Sequence, residues 1–190
     1  MTSCDSKLAL DLLDKTEANL KRIEIYNTDF VCFSLNEWRY ATRHLVSFNA
    51  TGDADEERKA ISHLKRAYYD SCDVLIDCLL NQISGYDYEA HGFAGVLANI
   101  VPGFSESRLA VHAAREAHVK AQSVGGAERE SSYDCLTVHC DKLERYLKNL
   151  EATRDLWVED IRKQRNRDRL PIIWTMIGIG VSIVLALIFH

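Results

Sequence analysis

The sequence predicts an all-α fold: an antiparallel helical bundle with a long C-terminal helix leading into a single transmembrane helix. Three observations carry this expectation. Apolar residues recur in steps of three and four through most of the chain, the period of one helical face. Breakers are scarce, with two prolines and nine glycines in 190 residues, too few for a fibrous or disordered class. Finally, Ile172 to Phe189 is an eighteen-residue run without a charge. At ~1.5 Å per residue it spans roughly 27 Å as a helix, enough for a thin bilayer core.

The elements follow in chain order. Leu10, Leu13, Leu20, Ile23 and Phe30 outline a first helix, ended by Asn27, Thr28 and Asp29. Ser34 and Glu37 have capping-box spacing and place a second helix over LNEWRYATRHLVSF. Gly52 is its expected stop. Asp53 and Glu56 repeat the capping spacing and open a third helix to about Gln82, with Ile61, Leu64, Tyr68, Cys72, Leu75, Leu79 and Ile83 on one face. So short a turn predicts an antiparallel pair. Residues 84–104 hold Gly85, Gly92, Gly95, Pro102 and Gly103, which argue against a long helix but allow a short one in FAGVLANIV. An alanine-rich helix then runs from Ser105 to about Val124, its Ala110, Ala113, Ala114, Ala117 and Ala121 permitting close approach, and Gly125-Gly126 closes it.

The last soluble element carries the most regular pattern. Tyr133, Leu136, Cys140, Leu143, Leu147, Leu150, Arg154, Trp157 and Ile161 form a heptad seam. It leads toward the apolar run, and Pro171 at the junction predicts a bend or interruption. The domain organisation expected is a bundle over 1–130, a heptad-patterned helix with a basic segment over 131–170, and an anchor over 171–190.

Charge gives this arrangement a direction. Arg162, Lys163, Arg165, Arg167 and Arg169 oppose only Asp168, a local balance of +4 in a chain of net charge −5 that leaves −9 for residues 1–161. Basic residues beside a span stay on the cytoplasmic side and meet anionic lipid at the surface. The N-terminal domain is therefore expected in the cytoplasm, on a single-pass, tail-anchored membrane protein. The N-terminal residues include acids and lack an apolar core, unlike a signal peptide. Free thiols are expected in that reducing compartment despite six cysteines. An acidic body also argues against nucleic acid as a partner, since phosphate neutralisation needs a basic face.

Several clusters could carry chemistry. Arg39 with His44, and Arg58 with His63, match the Arg-x4-6-His pattern of HEPN ribonucleases, and the helical setting resembles that family. The resemblance implies a histidine acting on the ribose hydroxyl and an arginine steadying the phosphate. The plain reading puts these residues on polar helix faces. A second stripe, His63, Arg66, Asp70, Asp73 and Asp77, shares one face of the third helix and suits acid–base work, cation binding or an ordinary polar seam. Cys135, His139 and Cys140 cluster but lack the further ligands zinc needs, so no metal and no cofactor is expected. The charge-free segment 92–104 offers Phe93, Val96, Leu97, Ile100 and Phe104. It reads either as a buried connector or as a loop that grips a partner or the bilayer interface.

Self-association has two expected seats. One is the heptad seam through Leu136, Leu143, Leu147, Leu150, Arg154, Trp157 and Ile161, with Arg154 paired to Glu151 or Asp155; the alternative packs this seam on the chain's own helices. The other is Gly178, Ser182 and Ala186, a small residue every four positions. Heptads, a basic collar and an anchor are similar to SNAREs, yet only Trp157 and Ile161 follow the arginine where that family continues its layers. Size and anchor are similar to Bcl-2 proteins, whose Asn-Trp-Gly-Arg motif is absent. The expected function is non-enzymatic: the bundle binds an unidentified cytoplasmic protein or signal, and stalk and span self-associate. One concrete form is a membrane-perturbing effector of a bacterial defence or toxin-like system. The alternatives are a membrane-tethered HEPN-like ribonuclease and a monomeric membrane adaptor.

Overall fold

The computed structural model describes residues 3–26 and 32–188; for residues 3–5, 32, 169–170, 172–173, 180 and 183–188 it describes the backbone alone. All described secondary structure is helical: α1 (Ser3–Tyr26), α2 (Cys32–Thr51), α3 (Ala54–Glu89), α4 (Ala94–Ile100), α5 (Phe104–Ser123), α6 (Gly126–Ala152) and α7 (Arg154–Ile188). The expected end of the first helix at residues 27–29 lies outside the described residues.

α3 is the central post, in contact with α1, α2, α5 and α6. Its expected apolar face is present, with Leu64, Tyr68, Cys72, Leu75, Leu79 and Ile83 all buried. Side-chain links fix the directions. Ser34 meets Ala67 while His44 meets Glu56, so α2 runs antiparallel to α3. Asn19 meets Ser71 while Gln82 meets Tyr26, so α1 runs parallel to it. α5 and α6 form the second hairpin, and Ala114 and Ala121 are fully buried there, the close approach that alanine permits.

Local expectations divide by position. Gly52 ends α2 in the left-handed region at φ +72°, where glycine lacks the Cβ penalty. Asp53 caps α3 through a 2.8 Å bond from the Asp55 amide, but Glu56 does not complete a box; its carboxylate is taken by His44 and Lys59. Ser34 is not a cap at all. It lies inside α2, fully buried, and donates to the Ala67 carbonyl at 2.8 Å. α3 also continues seven residues past Gln82 to Glu89, through Gly85, since packing overrides the ~1 kcal/mol cost of a helical glycine. On α1 the seam is displaced from the expected one: Leu10 is exposed, and Ala9, Leu12, Thr16, Asn19 and Ile23 face the core. Two polar members hid that seam. Thr16 bonds its own helix at the Leu12 carbonyl, and Asn19 reaches Ser71 and Cys72.

The charge-free segment is a buried connector. α4 lies across the end of the bundle against α5 and α7. Leu97 and Val101 are buried, and Phe93, Val96, Ile100 and Phe104 are half-buried against the core. Of the two expected readings, the packing favours the connector: Leu97 has no surface left, and Phe93, Val96, Ile100 and Phe104 keep only part of theirs.

The heptad seam is likewise consumed within the chain. Tyr133, Leu136, Cys140, Leu143, Leu147 and Leu150 pack into the bundle, and Trp157 and Ile161 continue the core. An intermolecular seam through Leu136, Leu143, Leu147, Leu150, Trp157 and Ile161 is therefore corrected, because none of these residues has surface to offer a second copy. Residues 131–152 consequently belong to the bundle. Arg154 needs no buried partner; it is exposed, and its guanidinium binds Glu89 at 2.7 and 3.2 Å instead of Glu151 or Asp155. The rod breaks once, at Thr153, whose hydroxyl donates to the Asn149 carbonyl at 2.7 Å. The expected interruption at Pro171 is absent, and α7 passes through it. Among the described residues no helix is long and apolar enough to cross a membrane; the run 172–189 falls partly outside them.

Candidate functional site

The α2–α3 hairpin joins two motifs that sequence kept apart. Antiparallel packing puts His44 and His63 face to face, with ring centroids 5.2 Å apart and planes within 9°. Each ring is held at Nδ1 by a carboxylate from the opposite helix: Glu56 Oε2 lies 2.9 Å from His44, and Glu37 Oε2 lies 2.7 Å from His63. Tyr40 tilts over His63 at 5.5 Å. All four members of the two pairs retain about a fifth of their side-chain exposure, so the cluster opens at the surface. The Glu56 carboxyl is held down to about 2, first by the His44 hydrogen bond and next by Lys59.

The chemistry of this arrangement is definite. A carboxylate at Nδ1 orients an imidazole and directs its Nε2 outward, which is how a histidine is prepared to move a proton or accept one. The arginines of the two motifs do not join in. Arg58 is exposed and binds Asp55, and Arg39 lies over the Tyr40 ring at 5.3 Å. Arg66 reaches Glu37 at 4.0 Å.

The acidic stripe of α3 continues from here to a second cluster. Asp70 is half-buried, and burial together with the nearby charges of Glu37 and Asp73 raises its carboxyl above the usual range. Asp73 binds two helices at once, His118 Nε2 on α5 at 3.0 Å and the Tyr133 hydroxyl on α6 at 3.0 Å. Asp77 lies 3.6 Å from His118 Nδ1, and the Gln122 amide is 3.0 Å from Nε2. The hydrogen bond to Asp73 raises the His118 pKa against the opposing effect of burial. Arg129 caps this network, its guanidinium 4.9 and 5.7 Å from the Tyr69 and Tyr133 rings. Along α3 the stripe thus runs from the His63–Glu37 pair at the surface to the Asp73–His118 tie with α5. His118 was missed because it lies on an alanine-rich helix with no motif around it, and its partners Asp73 and Asp77 are more than forty residues away in sequence.

The other expected clusters separate. Cys140 is a buried thiol pushed up to about 12 by its surroundings, whereas Cys135 is exposed. His139 has its Nδ1 buried without a partner, and burial and Lys142 lower its pKa. Among the described residues no group of three or more histidines, cysteines and acids is placed to hold a metal. Arg162, Lys163, Arg165 and Arg167 are exposed on α7, and Lys163 pairs with Glu159 at 2.8 Å. A Cβ at Gly178 would meet nothing within 4 Å, and the exposed Ser182 donates to the Gly178 carbonyl at 2.8 Å. The side chains of Arg169 and Ala186 lie outside the described residues. No protein family model, no curated protein and no solved structure matches this chain.

Proposed function

We propose that this protein is a membrane-anchored adaptor: a helical bundle held in a set position at a bilayer, there to receive a partner, with self-association confined to its apolar helix. One observation carries the reading. The helix that roots in the bundle core through Trp157 and Ile161 also bears the arginine collar and the start of the apolar run, without a break. A loose linker would let the bundle drift. A continuous helix fixes it about 16 Å above the first residue of the run, counting eleven residues from Ile161 to Ile172 at ~1.5 Å each. The collar at 162–169 then falls at the headgroup layer, where basic residues favour the cytoplasmic face.

Support for self-association through the apolar helix comes from Gly178 and Ser182. A Cβ built on Gly178 meets nothing within 4 Å, so this face stands unpartnered in the single chain. The Ser182 hydroxyl is satisfied within its own helix, which suits close approach in an apolar medium. Two measurements test the proposal. The full chain should co-fractionate with membranes and appear as a dimer or larger in detergent. Gly178→Leu should then yield monomer while staying in the membrane fraction. Wild-type monomer in detergent would remove the self-association and leave the anchor; a wild-type chain in the soluble fraction would overturn both.

A second reading, a membrane-tethered ribonuclease resembling the HEPN family, is favoured by the His44–His63 stack and its two orienting carboxylates. It expects RNA cleavage by the full chain, lost in His44→Ala and His63→Ala with the fold retained. The acidic surroundings and the diverted arginines weigh against it, since the nearby cations Lys59 and Arg66 are drawn to Glu56 and Glu37, the carboxylates that hold the two rings. Absence of cleavage by the wild type would end it.

A further inference from the structure

One groove on the bundle is matched by nothing in the chain itself. It lies between the first half of α5 and the second half of α6, with a volume of about 560 Å³. Its floor has surface to give: Leu109 is 74% exposed, Pro102 is exposed, and Ala110 and Ala113 are half-buried. The two alanines keep that floor low, which makes the seam of the hairpin concave. The α6 bank carries Lys142 and Arg145, both exposed. Neither has an ion pair among the described residues, and the charge of Lys142 acts on a base, His139, whose pKa it lowers. Glu106, the acid in the lining, pairs with neither cation. Two unneutralised cations beside an open apolar floor stand out on a body of net charge −9 over residues 1–161.

We infer that this groove holds one amphipathic helix of a partner protein, its apolar stripe on Leu109, Ala110 and Ala113 and its carboxylates toward Lys142 and Arg145. This rests on the reading of the bundle as the part that receives a partner. Shape, length and charge select that occupant. A cleft between two packed helices takes a third, whose side chains enter it in steps of three and four. The α6 bank runs seven residues from Lys142 to Asn149, about 10 Å, or roughly two turns of an incoming helix. A second copy of the chain would bring the same concave face, and two hollows set together leave a void without contacts. Charge then favours an acidic helix over a basic one, because opposite potentials steer a partner and fix its register while like charges repel it. The floor supplies affinity and the bank supplies orientation.

The test offers the full chain to nanodiscs of the zwitterionic lipid DOPC and titrates it into a rhodamine-labelled synthetic peptide of about sixteen residues, long enough to form a helix. Leucines make one stripe of the peptide and glutamates line one flank; a second peptide carries lysines in place of the glutamates. Salt is held at about 0.15 M, which screens the distant charges of the acidic body. By fluorescence anisotropy, wild type is expected to bind the glutamate peptide roughly tenfold more tightly than the lysine peptide. Lys142→Glu/Arg145→Glu should reverse that order. Leu109→Ser should weaken the glutamate peptide about tenfold by removing apolar floor. Lys148→Glu changes an exposed α6 charge outside the groove and should leave binding within about threefold. Matching thermal melts are expected throughout, since every changed side chain is exposed, and they assign each loss to binding. No binding by wild type at millimolar peptide, or equal binding of the two peptides, would overturn the inference. Equal losses in Lys148→Glu and the double variant would also overturn it, in favour of diffuse charge. A lowered native mass for Leu109→Ser in detergent would give the groove to a second copy. Anchorage is read separately: a chain that enters nanodiscs but binds no peptide fails the groove and keeps the anchor. A chain that stays in solution and binds the peptide keeps the groove and fails the anchor.

Discussion

The two halves of the C-terminal rod solve the problem of apolar surface in opposite ways. From Tyr133 to Ile161 apolar residues occupy one main stripe, and the bundle buries it, while Val138, Leu156 and Val158 stand singly among the polar residues outside. From Trp174 to Val181 the helix is apolar on every side, and Trp174, Met176, Ile177, Ile179 and Val181 stand exposed in the single chain. A stripe can be satisfied by one neighbour; a helix apolar all round needs an apolar surrounding or several neighbours. The difference teaches that periodicity marks packing within the chain, whereas its loss marks a surface meant for something outside it.

The sharpest way to break this comparison is at the last buried member of the stripe. Trp157 is fully buried, its indole N–H donates to the Leu150 carbonyl at 3.3 Å, and Tyr86 meets its ring edge-on. Trp157→Ala should cost about 3–5 kcal/mol, read as a lowered midpoint in denaturant unfolding of the full chain in detergent. It should also free α7 from α4, with faster proteolysis between Thr153 and Arg162. On the other half, Val181→Arg places a charge near the middle of the apolar run. It should cost about 2.5–3.5 kcal/mol of membrane insertion while leaving the bundle's unfolding midpoint unchanged. If instead Val181→Arg unfolds the bundle, the two halves are not independent and the comparison fails.

A smaller effect is expected where the stripe meets its polar tie. The His118 pKa is raised by Asp73, so the protonated ring binds more strongly in the folded state. Its contribution is fully present below the unfolded value of about 6.5 and is lost as pH rises through the folded value. His118→Gln should flatten that decline in stability above about pH 6.5, measured by denaturant unfolding across pH. A decline of equal slope in the variant would remove His118 as its source. The smallest effect concerns Arg154, which shares the heptad spacing of Trp157 but not its burial. Arg154→Ala should leave thermal unfolding barely changed, because the pair with Glu89 is exposed and solvent screens it.

Legibility followed the same division. The apolar face of α3, the Gly52 stop and the α6 seam were readable because each rests on local pattern or on one residue's backbone freedom. Ser34, Glu37 and Glu56 carried capping signals that the fold spent elsewhere, on Ala67, His63 and His44. A side chain that suits a helix end suits a neighbouring helix equally well, and only packing decides which it meets. The α1 seam was displaced for the same reason, since Thr16 and Asn19 are polar residues made acceptable in a core by bonds the sequence does not announce. The His44–His63 pair was half visible. The motifs could be found, but their mutual stacking depended on the register of the hairpin.

By itself, the sequence determined an all-helical chain, the seam of its last helices, and the gathering of positive charge beside an uncharged run. These depend on period, composition and order along the chain, which are one-dimensional properties. Tertiary structure alone decided that the seam closes within one chain, that segment 92–104 packs across the end of the bundle, and that α7 leaves it as an unbroken helix. Those outcomes turn on which faces meet across tens of residues. The same stripe satisfies an intramolecular or an intermolecular neighbour with equal hydrophobic gain, and the geometry of α3, α5 and α6 settles the choice.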